Sequence, residues 1–181
     1  MKKNQIMHKH LKFLVIFIIL GLSIYGYMKG MALETYKASL NQSLIMHFEY
    51  VIKLADANLN YLDQYKREEL LSLDDYQKIR YNHTQIFVAF QTIEAFDLFL
   101  DDSKESRPTK RSDQCFYMKD YLQRFVYENS NSEDDSDEYL RSYYTQLKDT
   151  LSLLIEKKTS SKWDEEVKVF LDSGNRLVEI N

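Results

Sequence analysis

LKFLVIFIILGLSIYGYM, residues 11–28, decides the architecture: it is apolar apart from Lys12 and Ser23. As a helix rising 1.5 Å per residue, its 18 positions reach about 27 Å, enough to cross a hydrocarbon core. Lys2, Lys3, Lys9 and Lys12 lie before the run or at its start, and Lys29 lies just past it. That asymmetry directs the N-terminus to the cytoplasm by the positive-inside bias. Lys12 is placed to snorkel to the inner headgroups, and Tyr25 and Tyr27 to sit at the outer interface, where amphipathic rings collect.

Three segments follow from this reading: a basic cytoplasmic tail at 1–10, a transmembrane signal anchor at 11–28, and an extracytoplasmic domain at 29–181. A cleaved signal peptide is the alternative, with Gly30 and Ala32 at the −3 and −1 positions; the length of the run and Lys29 beside the cleavage site speak against it. No cysteine stands directly after the run to accept a lipid. Gly26 and Gly30 share the G-x-x-x-G spacing of paired membrane helices, but they enclose Lys29 at the end of the run, which fits a chance spacing.

The remainder reads as all-α. Four glycines and one proline in 181 residues leave little of the punctuation that hairpins require, while 44% hydrophobic and 14% aromatic residues suffice for a core. From residue 30 onward, 19 basic residues face 28 acidic ones, a net charge of −9. This excludes a general nucleic-acid binder, which needs a surplus of Lys and Arg against phosphate.

Apolar residues at steps of three and four predict a helix from Met31 to Glu69 through Leu33, Tyr36, Leu40, Leu44, Phe48, Ile52, Ala55, Leu59 and Leu62, continuous with the membrane run. Ser72 with Asp75 predicts a cap for a second helix carrying Tyr76, Ile79, His83, Ile86, Phe90, Ile93 and Leu100. Ser112 is the expected cap of a third, with Cys115, Met118, Leu122, Phe125 and Val126. A fourth carries Leu140, Tyr143, Tyr144, Leu147, Leu151, Leu154 and Ile155. Ser161 with Asp164 opens a fifth carrying Trp163, Val167, Phe170, Leu171, Leu177 and Val178. Amphipathic helices joined by mostly short loops bury their stripes in an antiparallel bundle of four to five helices.

No catalytic, cofactor or metal constellation is expected. His47 and His83 would lie about 18 Å apart along a hairpin turning near Leu71, so they are read as a polar neighbour of Phe48 and a boundary residue of the core stripe. Lone Cys115 reads as a small buried hydrophobe. The acidic run Glu133, Asp134, Asp135, Asp137, Glu138 lacks the glycine and distal Glu of a calcium loop and reads as solvated. Lys104, Arg107, Lys110 and Arg111 form a basic loop expected near the membrane, where it would meet anionic headgroups or wall polymers. Adjacent Tyr143 and Tyr144 are not expected to face one core together. Tyr61, Tyr65, Tyr81, Tyr117 and Tyr121 are expected to project as boundary or partner-facing rings.

The functional expectation is a membrane-anchored interaction module, a scaffold or ligand-sensing accessory subunit of an envelope complex, held in lipid by one helix and bound to a protein partner. The alternative is a secreted or anchored hydrolase working through carboxylates, which leave no local signature.

Overall fold

The computed structural model describes residues 2–68, 72–100, 110–128 and 136–172, with side chains at 15–64, 72–96, 111–119, 121–123 and 138–171. It contains α1 (Lys2–Glu68), α2 (Leu73–Leu100), α3 (Lys110–Glu128), α4 (Ser136–Glu156) and α5 (Trp163–Asp172), and no strand among the described residues. The chain divides into two units, Met1–Ser43 and Leu44–Asn181.

In the first unit every residue from 15 to 39 is exposed, including Ile16, Phe17, Ile19, Leu20, Leu22 and Ile24. Near the N-terminus α1 is long and apolar enough to cross a membrane. Ser23 and Thr35 bond within the helix: Ser23 Oγ donates to the Ile19 carbonyl at 2.9 Å and Thr35 Oγ1 to that of Met31 at 2.9 Å. Internal bonding of the backbone and of such hydroxyls is what a medium without water favours. Tyr25 and Tyr27 are exposed; the side chain of Lys12 lies outside the described residues.

In the second unit the buried positions of α1 are Leu44, Phe48, Val51, Ala55, Asn58 and Leu62. Their alternating steps of four and three keep one seam facing its neighbours. The stripe expected through Ile52 and Leu59 is therefore corrected by one position: both are half-buried at the edge, and Val51 and Asn58 occupy the seam. On α2 the seam is Ile79, His83, Ile86, Phe90 and Ile93, as the sequence predicts. Cys115, Met118 and Leu122 of α3, Leu140 to Leu154 of α4, and Trp163, Val167, Phe170 and Leu171 of α5 complete one core.

The α2 start follows the predicted cap. The Asp75 amide donates to Ser72 Oγ at 3.0 Å, and that hydroxyl donates to the Asp75 carboxylate at 2.6 Å. Two other starts differ from expectation. Ser112 lies inside the first turn of α3, and its amide donates to Glu94 Oε1 of α2 at 3.1 Å. The first amides of a helix lack partners in the helix itself, so a carboxylate from a neighbouring helix serves where a local hydroxyl was expected. Before α5 the acceptor is Ser160 Oγ, taking the Lys162 amide at 3.2 Å, in place of Ser161.

Asp56 pairs with Lys148, and Asp63 with Arg141, which also reaches the Leu62 carbonyl. The partners are seven residues apart on both α1 and α4 and pair in reverse order. Such half-exposed pairs set register more than stability.

Candidate functional site

The core stripes predict apolar packing, yet the centre of the second unit holds a polar chain joining α1, α2, α3 and α4. His83, 2% exposed, sets Nε2 at 2.7 Å from the Cys115 carbonyl and Nδ1 at 3.1 Å from the Tyr144 hydroxyl. The carbonyl can only accept, so Nε2 carries the hydrogen and Nδ1 of the neutral ring accepts from Tyr144. The Tyr144 hydroxyl is also bonded to the Asn58 side chain. Asn58 in turn takes a hydrogen bond from Asn82 Nδ2 at 2.9 Å and gives one to the Ile79 carbonyl at 3.4 Å. Alongside, the Tyr143 hydroxyl lies 3.1 Å from Cys115 Sγ.

Burial governs the titration of these groups. It holds the His83 ring at about 4, with the Cys115 carbonyl bond opposing and Lys119 adding to the depression. Burial pushes the Cys115 thiol up to about 12 and raises Tyr143 and Tyr144 as well. A thiol in that state is neither a nucleophile nor a metal ligand at neutral pH.

A second cluster joins α3 and α5. Arg111 Nε donates to the Phe170 carbonyl at 2.8 Å, Nη1 donates to Gln114 Oε1 at 2.8 Å, and the guanidinium carbon lies 4.2 Å from the centre of the Phe170 ring. Stacking on an aromatic face is a favourable setting for a desolvated guanidinium. Next to it a cleft of about 20 Å³ is lined by Arg111, Gln114, Tyr143, Gln146, Thr150 and Phe170; it has room for a water molecule.

Several expected positions are thereby corrected. Arg111 is no loop residue: it lies in the first turn of α3 with its side chain 6% exposed, so it is withdrawn from the basic surface. Lys104 and Arg107 lie outside the described residues, as does the side chain of Lys110. His83 is a fully buried node, not a boundary residue. Tyr143 and Tyr144 are both buried, at 3% and 0% exposure. Neighbours on a helix diverge by about 100°, which is the width of a core-facing stripe. One ring therefore turns to Cys115 of α3 and the other to His83 of α2.

The rings of His47 and Phe96 meet edge to face with centroids 5.7 Å apart, so His47 and His83 serve different contacts. No group of three metal-ligating side chains occurs among the described residues. Tyr81, Tyr117 and Tyr121 are exposed, Tyr61 is half-buried against the core, and Tyr121 stacks on Tyr139 at 4.6 Å. The run 129–135 and residues 173–181, with Gly174, Leu177 and Val178, lie outside the described residues.

Asn58, Asn82 and Glu94 were missed as working residues. Only Asn58 left a trace in the sequence, as a polar residue at a seam position of the four-three repeat. Compared with protein-family models, curated proteins and solved structures, the chain matches none.

Proposed function

We propose that the chain is a membrane-tethered interaction module: the N-terminal part of α1 lies in the bilayer, and the second unit stands as an antiparallel helical bundle on the extracytoplasmic side. The observation that carries this reading is the exposed apolar run from Val15 through Met28, interrupted only by Ser23. Scattered apolar residues on a surface need no cover, but a contiguous helix of them does. The lysines before it and the acidic balance after it support the orientation. The reverse-order pairs Asp56/Lys148 and Asp63/Arg141 support the antiparallel arrangement.

The four-helix polar chain and the inert thiol favour a binding role over a catalytic one. The role is that of a scaffold or accessory subunit within an envelope complex, offering exposed rings such as Tyr117 and Tyr81 to a protein partner. Lys104, Arg107 and Lys110 remain the residues proposed to face anionic headgroups or wall polymers.

The test is purification of the tagged full-length chain in a gentle detergent. A stoichiometric protein partner that is lost with Tyr117→Ala and Tyr81→Ala is the expected result. A chain that purifies alone and turns over substrate would replace the module by the enzyme reading.

A further inference from the structure

The polar chain of the second unit runs donor to acceptor in one direction, from Asn82 to Asn58, Tyr144, His83 and the Cys115 carbonyl. Its one position that can gain a proton without breaking a covalent or backbone element is His83 Nδ1. A proton there sets two donors against each other, because Tyr144 already gives its hydroxyl hydrogen to that nitrogen. The Tyr144 oxygen is also engaged by Asn58, so its hydrogen has to leave the chain altogether.

Among the described residues, no carboxylate acts on the ring. From α4 the ring meets the neutral phenols of Tyr143 and Tyr144, and the neutral amide of Asn58 on α1 acts on it only through Tyr144. From α3 come the Cys115 carbonyl and the like-charged Lys119. On α2 itself, Glu94 is committed to the Ser112 amide at the start of α3.

We propose that His83 is an acid-operated latch: neutral, it ties α2 to Cys115 of α3 and Tyr144 of α4; protonated, it lets these helices part and uncovers the Cys115 thiol. The sign follows from linkage. The ring titrates at about 4 in the closed form against an ordinary 6.5, so the open form binds the extra proton in that window. Closure is thus unaffected above pH 6.5, weakens as pH falls through it, and has lost the whole contribution below about 4. A gap of that size corresponds to about 300-fold in the opening equilibrium.

Cys115 is the only cysteine, so it reports opening by itself. The experiment measures labelling of the full-length chain in detergent micelles by a small thiol-reactive disulfide. Each rate is divided by that of the same chain unfolded in denaturant at the same pH, which removes the titration of the thiol. The ratio is expected to climb on the order of 10²-fold between pH 7 and 4.5. His83→Gln keeps a donor for the Cys115 carbonyl but has nothing to protonate, and its ratio should stay flat.

Lys119 is exposed, so Lys119→Glu leaves folding intact and gives a second reading where His83→Gln does not fold. Turning the neighbouring cation into an anion should reduce the climb without abolishing it, because burial is the larger cause of the lowered titration. A flat ratio in the parent chain, an equal climb in a folded His83→Gln, or a steeper climb in Lys119→Glu than in the parent overturns the latch.

Discussion

Phe170→Ala should cost the second unit roughly 3 to 5 kcal/mol of stability, the range for removing a buried phenyl ring from a core that relaxes only in part. Phe170 is the one ring of α5 that meets two others, with centroids 6.1 Å from Phe48 of α1 and 6.1 Å from Phe90 of α2. It also covers the Arg111 guanidinium, whose burial already lowers its affinity for the proton. Truncation removes that cover while the Phe170 backbone carbonyl stays to hold Arg111 Nε, leaving a desolvated cation beside a void. Urea unfolding followed by the emission of Trp163, the sole tryptophan, measures the loss. The reporter is apt because Trp163 is buried and its Nε1 donates to the Leu154 carbonyl at 2.8 Å, near the end of α4. A loss under about 1 kcal/mol would mean that α5 does not seal this core.

The second large effect is expected in the proposed anchor. Ile18→Arg combined with Leu22→Arg puts two cations one turn apart on α1. At the centre of a membrane helix each costs roughly 2.5 to 3.5 kcal/mol to insert, and the pair also forfeits two favourable side chains. The doubly substituted chain should be released from membranes by alkaline extraction, while the parent chain and a Ile18→Leu, Leu22→Ile control remain bound. Equal retention of all three would show that the run is not what holds the protein in the membrane.

Helix placement was legible because it rests on periodicity. Ile79, His83, Ile86, Phe90 and Ile93 recur at steps of four and three and are buried together. The cap at Ser72 was legible because its partner, Asp75, lies three residues away in the same chain segment. What escaped reading depends on partners distant in sequence. Ser112 resembles a cap, but Glu94 from another helix takes its amide and the helix begins earlier. Arg111 belongs by composition to a basic loop, yet the Phe170 ring, 59 residues away, shelters it.

Tyr143 and Tyr144 show the same limit in another form. Both fit at the two edges of one stripe because two helices receive them, α3 at Tyr143 and α2 at Tyr144. The polar chain through His83 is likewise a product of assembly. No local pattern announces that residues 58, 82, 83 and 144 converge, since each lies on its own helix face amid apolar neighbours.

The most direct test of the account is protease treatment of intact cells, stripped of any outer barrier, that carry the full-length chain with a tag after Asn181. Removal of the tag while the membrane is still sealed is predicted, with the N-terminal tail protected until the cells are lysed. A tag that resists protease until lysis would contradict the proposed arrangement of a lipid-embedded α1 and an outward-facing helical domain.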